Sequence, residues 1–91
     1  MVDFMRIETE EQKKSRIFEH YKQYIKKPVN KGGCIRFIVI EYIVRLTDID
    51  PFKMAAELKK DGYIIAFDDS SISERENERK RKAVEKQLKS S

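Results

Sequence analysis

Ile35, Ile38, Val39, Tyr42, Ile43 and Leu46 recur at steps of three and four residues, the spacing of one helical face. They lie in the run IRFIVIEYIVRL over 35–46, the only strongly apolar stretch of the chain. Phe37, Ile40 and Val44 form a second, narrower stripe on roughly the opposite side, and only Arg36, Glu41 and Arg45 separate the two. A helix apolar on two sides needs cover on both, from its flanking helices or from a partner. The spacing therefore predicts a helix over 35–46, with Phe37, Ile40 and Val44 as a candidate docking stripe for another protein. The alternative is an α+β fold with 35–46 as one long strand, because β-branched residues are dense there. Length favours the helix. Strands usually run about 5–6 residues, and no turn residue divides the run between Cys34 and Thr47.

The flanking chain carries clear punctuation. Residues 1–8 hold Val2, Phe4, Met5 and Ile7, enough for a short strand or an apolar lead-in. Thr9 and Gln12 have capping-box spacing, with Glu10 and Glu11 in the first turn. Ile17, Phe18, Tyr21, Tyr24 and Ile25 then give one apolar face, and Pro28 stops a helix over 9–27. Packing into the core is the favoured role for Tyr21 and Tyr24, over stacking on single-stranded bases. The loop from Val29 to Cys34 contains Gly32 and Gly33. Asp50 as cap, Pro51 at the first helical position and Gly62 just past the end mark a helix over 51–61, burying Phe52, Met54 or Ala55, and Leu58. Tyr63 to Phe67 reads as a short strand.

Ser71 with Glu74 repeats the capping-box spacing and opens a last helix over 71–89. It is polar nearly all round, so only Ile72, Ala83, Val84 and Leu88 could pack. Glu76–Lys80, Glu78–Lys82 and Glu85–Lys89 are i,i+4 pairs in the favourable order, each contributing about 0.2–0.5 kcal/mol. The expectation is a mainly α fold: a small helical domain over 1–70 with a helix-turn-helix-like middle, and a charged helical arm over 71–91.

Composition narrows the class. Twenty Lys and Arg against 16 Asp and Glu leave a formal charge of +4 on 91 residues, compatible with nucleic acid without requiring it. A chain this short buries only about 60–65% of its unfolded surface, which makes a partner or a homodimer a reasonable expectation. One cysteine excludes an internal disulfide and a cysteine-based zinc cluster. With no signal-peptide pattern and no long apolar span, the expected location is the cytoplasm, away from membranes. Eleven Ile against three Leu, with abundant Lys and Glu, suit a hyperthermophile or an AT-rich genome equally.

The catalytic inventory is thin. His20 is the only histidine and has no cysteine or carboxylate at a recognisable spacing, so it reads as a surface residue. Cys34 beside Gly33 could be a thiol activated at a helix N-terminus, but a buried small hydrophobe is the default. The Asp48/Asp50 and Asp68/Asp69 pairs fit turn and cap chemistry and supply too few ligands for a metal. No cofactor is expected, and the chain reads as non-catalytic.

Basic residues offer more. The order helix, short turn, helix, strand over 35–67 resembles a helix-turn-helix leading into a wing, which would make Lys53, Lys59 and Lys60 groove or phosphate contacts. Against it, the 51–61 helix has no Arg, Asn or Gln to read base edges and carries Glu57, and no second wing strand follows. The competing reading is that this helix closes the core. Arg79, Lys80, Arg81 and Lys82 form the densest basic cluster, suited to non-specific phosphate contacts or simply to solubility. Lys22, Lys26 and Lys27 lie among the tyrosines of the 9–27 helix, and Lys31-Gly32-Gly33 could cradle an anion, although an ordinary turn is the simpler account.

Small size, lysine-rich helices and the Arg79–Lys82 cluster together resemble the small accessory subunits of archaeal family-B DNA polymerases. That resemblance implies a protein that assists DNA synthesis rather than performing it; it carries no assignment of individual residues. The expected function is a non-catalytic accessory subunit, docked on a larger DNA-processing enzyme and adding backbone contacts to nucleic acid. The alternatives are a free-standing winged-helix-like DNA-binding regulator acting as a homodimer, and a protein-only adaptor or inhibitor.

Overall fold

The computed structural model describes residues 8–90. The apolar lead-in expected over 1–8 lies, but for Glu8, outside them. Six elements follow in the order α1 (Glu10–Lys26), β1 (Cys34–Arg36), α2 (Phe37–Val44), α3 (Pro51–Lys60), β2 (Ile64–Ala66) and α4 (Glu74–Ser90). The fold is mainly α, as the periodicity predicts. β1 and β2 form a two-stranded parallel sheet in which Cys34, Ile35 and Arg36 face Ile64, Ile65 and Ala66.

The caps explain most boundaries. Thr9 Oγ1 accepts from the Gln12 amide at 3.1 Å while Gln12 Oε1 accepts from the Thr9 amide at 3.0 Å, the reciprocal box expected there. Asp50 Oδ1 accepts from the Phe52 amide at 2.9 Å, with Pro51 opening α3. At the other end of α3 the Gly62 amide donates to the Lys59 carbonyl at 3.0 Å and the Tyr63 amide to the Leu58 carbonyl at 3.1 Å, a Schellman ending. It holds Gly62 at φ +97°. The Ser71 box is corrected. Ser73 caps α4, accepting from the Glu76 amide at 3.2 Å, and Ser71 donates instead to Asp69 in the preceding turn.

The apolar run over 35–46 is neither one helix nor one strand. Cys34–Arg36 is extended and the helix begins at Phe37, because β2 needs a hydrogen-bonding neighbour and the residues after Gly33 supply it. The register brings Ile35 and Ile65 together in the core, 3% and 7% exposed. The helix also stops early, at Val44. The Thr47 amide and hydroxyl both donate to the Val44 carbonyl, at 2.9 and 2.6 Å, and the Ile49 amide donates to Thr47 Oγ1.

The two faces of α2 are used in the reverse of the docking expectation. Phe37, Ile40 and Val44 are 2%, 0% and 2% exposed, so the proposed docking stripe is core. Phe37 explains the choice: its ring lies 5.2 Å from those of both Phe52 and Phe67, clamping α2 to the start of α3 and to the chain beyond β2. Val39, Tyr42 and Leu46 of the broader stripe point outward, with Tyr42 and Leu46 at 64% and 89% exposure.

At the centre is α3. It packs against α4, α2, β2 and α1, and Met54, Ala55, Ala56 and Leu58 are all buried. Met54, Ala55 and Ala56 are consecutive and so span most of the helix circumference. The expected charged arm over 71–91 is corrected here. Val84 is fully buried, Leu88 packs against the core, and Lys80 holds Glu41 of α2 through bonds of 3.0 and 3.2 Å. Thus α4 belongs to the same core as the rest.

Two substitutions test this packing. Ile40→Ala should lower stability by about 2–5 kcal/mol in urea unfolding, the range for truncating a buried Ile, whereas a docking residue would leave the midpoint unchanged. Gly62→Ala should cost about 1–2 kcal/mol, the left-handed backbone penalty. An added Cβ at Gly62 meets nothing within 4 Å, so that destabilisation is purely conformational and circular dichroism should stay native-like.

Candidate nucleic-acid interface

Three elements converge on a shallow cleft lined by Gln23, Lys26, Lys27, Lys31, Asp61 and Tyr63. The last turn of α1 contributes Gln23 and Lys26, Lys27 caps it, and the loop to β1 contributes Lys31. The Schellman ending of α3 contributes Asp61 and Tyr63. Lys22 and Lys26 are one helical turn apart on α1, so both reach Asp61. Lys26 Nζ lies 2.6 Å from Asp61 Oδ2 and Lys22 Nζ 3.4 Å from the same oxygen, while Lys22 also meets Glu19 at 3.3 Å. Lys26 Nζ stands 5.6 Å from the centre of the Tyr63 ring.

The electrostatics follow from burial and pairing. The Lys22 side chain is only 10% exposed. Burial pulls its pKa down, but the hydrogen bond to Glu19 and the charges of Asp61 and Glu19 more than offset this and raise it overall. Asp61 is held below the usual carboxylate range, first by the hydrogen bond from Lys26 and then, against partial burial, by the Lys22 charge. The C-terminal end of α3 adds negative potential to the same spot. Lys27 and Lys31 are exposed and have no ion-pair partner among the described residues. The cleft lining thus carries Lys26, Lys27 and Lys31 against the single carboxylate of Asp61, which leaves it net positive.

The remaining basic candidates do not gather here. Lys53 is exposed on α3 with its ammonium 5.6 Å from the Phe18 ring centre, Lys60 donates to Glu57 at 3.3 Å, and Lys59 is half-buried. The outward strip of α3 is narrow and holds Lys53, Glu57 and Lys60, with no Arg, Asn or Gln to read base edges, and with β2 paired in parallel to β1 the described residues form no wing hairpin beside it. The Arg79–Lys82 cluster is largely compensated. Arg79 pairs with Glu76 at 3.0 Å, Lys80 with Glu41, and Arg81 with Glu78 and, at 3.7 Å, Glu85; Lys82 alone is exposed without an ion pair among the described residues. Most of its neutralising carboxylates precede Arg79 or belong to α2, so a charge count over the tail misses them.

Three placements differ from the sequence reading. Cys34 is exposed in β1, and the helix N-terminus that would activate it lies three residues on. Tyr21 is half-buried against the core, but Tyr24 is 58% exposed instead of packed with it. Asp61 and Tyr63 were not anticipated as site residues at all. Their only local signal is Gly62, which fixes the helix ending but not what approaches it. His20 is exposed, with its ring nearly perpendicular to that of Tyr21. Among the described residues no group of three or more His, Cys, Asp or Glu could hold a metal, and no helix is long and apolar enough to cross a membrane.

Because its folded pKa is depressed, Asp61 contributes stability that is present above its unfolded value and lost as pH falls through the folded one. Wild-type melting temperature should therefore drop more steeply below about pH 4, the ordinary Asp range, than that of Asp61→Asn. Parallel melting curves would show Asp61 to be structurally idle.

No protein-family model matches this chain, and comparison with curated proteins and with solved structures gives no match.

Proposed function

We propose that this protein is a non-catalytic accessory subunit that binds a nucleic-acid backbone in the Lys26–Lys27–Lys31 cleft while docked on a larger DNA-processing enzyme, such as a replicative polymerase. The observation that carries the reading is the cleft itself, where lysines outnumber carboxylates and two of them, Lys27 and Lys31, are left without ion pairs among the described residues. Lysine ammonium groups are point charges that suit phosphate oxygens and read no sequence. Lys22 and Lys26, braced by Asp61, keep the α1 wall in place, so the exposed lysines are presented from a fixed frame.

The docked role is supported by the outward side of α2 and the turn after it, where Val39, Tyr42 and Leu46 are large, apolar and exposed. Arg45 lies over the Tyr42 ring at 4.3 Å, which adds a charge that an acidic partner surface would complement. A free-standing winged-helix regulator is the weaker reading, since the outward strip of α3 holds Lys53, Glu57 and Lys60 and no Arg, Asn or Gln to read base edges.

Charge reversal tests the backbone reading. Lys27→Glu combined with Lys31→Glu should weaken binding to a labelled single-stranded oligonucleotide and reduce the slope of log K against log salt by about 0.7 for each phosphate that is no longer neutralised. Reversal of Lys82 should leave that slope nearly unchanged. If the double variant keeps the wild-type slope, the cleft is not the binding surface.

A further inference from the structure

We propose that the nucleic-acid backbone is not held at the cleft alone but runs from it along the seam between α1 and α3 to Lys53, which makes a further phosphate contact. The inference rests on the backbone-binding reading above and adds the path that the backbone takes.

Helix geometry supplies the seam. Lys53 Nζ stands 5.6 Å from the centre of the Phe18 ring, while Lys22 and Lys26 of α1 reach Asp61 at the end of α3. Between these two points α1 advances from Phe18 to Lys26 and α3 from Lys53 to Asp61, eight residues in each. The two helices therefore lie side by side and run in the same direction. Steps of four residues return to nearly the same helical face. Phe18, Lys22 and Lys26 thus line the α1 side of the seam, and Lys53, Glu57 and Asp61 line the α3 side, with Lys60 beside them.

Charge along this seam is uneven. Its middle is neutralised: Glu19 holds Lys22 at 3.3 Å, Glu57 holds Lys60 at 3.3 Å and Asp61 holds Lys26 at 2.6 Å. The two ends are not. Lys27 and Lys31 at the cleft, and Lys53 at the other end, are exposed and have no ion pair among the described residues. The Phe18 ring attracts the Lys53 ammonium without neutralising it, so the charge is held toward the seam. Eight helical residues span about 12 Å, and successive phosphates of one strand advance about 3.4 Å along a duplex axis. The two positive ends are therefore about three phosphates apart, so one strand can engage both while it passes the neutral middle. Ammonium groups read phosphate charge and neither base nor sugar, so a single strand and one strand of a duplex offer the same chemistry.

Fluorescence anisotropy of the full chain across a salt series provides the test. The probes are labelled oligo-dT of about 16 nucleotides, the upper end of single-strand site sizes, and a mixed-sequence DNA duplex of equal length; the tighter of the two names the form of the ligand. On that probe Lys53→Gln should reduce the slope of log K against log salt by one phosphate, about 0.7 for a single strand or about 0.9 for a duplex. Lys82→Gln changes the net charge equally but lies on α4, away from the seam, and should leave the slope unchanged. Glu57→Gln removes a carboxylate beside the path and should tighten binding. Because Lys53 is exposed, circular dichroism of Lys53→Gln should match the wild type. An unchanged slope in Lys53→Gln, or an equal loss in Lys82→Gln, would overturn the proposal. If the Lys27/Lys31 reversal still lowered the slope in that event, the cleft reading would stand alone. A lower slope in Lys53→Gln but not in the double variant would overturn the cleft reading and the path that starts from it. Absence of binding to both probes would remove both.

Discussion

Packing around α3 is the constraint on which the other elements depend. A chain in which 40% of residues are charged has few apolar side chains to spend, and it concentrates them around one ten-residue helix. Ala55 and Ala56 matter as much as the larger Met54 and Leu58. Small side chains allow close approach of a packed neighbour, and α3 has neighbours in α4, α2, β2 and α1. Each neighbour then needs only a narrow apolar stripe. That is why α4, with Val84 as its one fully buried residue among those described, can be polar over most of its surface and still belong to the core.

The same economy shapes α2. Its apolar residues exceed what one side of α3 can cover, so one stripe had to remain outside. The aromatic contacts of Phe37 with Phe52 and Phe67 favour the stripe that carries it, and Ile40 and Val44 follow on the same face. The opposite choice would have buried Tyr42, whose hydroxyl would then require a partner. What is left outside is an apolar surface with a stacked arginine, on the part of α2 farthest from the core.

Electrostatics shape the other exposed surface. Asp61 closes α3 and at the same time anchors Lys22 and Lys26, so a helix ending becomes the floor of a basic cleft. Removing the carboxylate would leave the nearly buried Lys22 ammonium with Glu19 as its remaining ion-pair partner among the described residues, a costly arrangement. Along α4, in contrast, ion pairs spaced three or four residues apart neutralise most of the basic cluster within the helix itself. The two groups of basic residues, four in each, therefore present very different fields to solvent.

Local chemistry was legible in the sequence by itself. Thr9 with Gln12, Asp50 with Pro51, and Gly62 each satisfy or end a helix within a single turn, so their partners lie within a few residues and the pattern suffices. The mainly α character and the existence of four helices follow from the same signals. Tertiary structure alone decided the rest: which stripe of α2 turned inward, that Ile35 joined a parallel sheet with Ile65, that Val84 was buried, and that Asp61 met two lysines from α1. Each of these depends on shape or charge contributed by a distant segment. A helix with two apolar faces carries no internal evidence of which one its neighbours will fit.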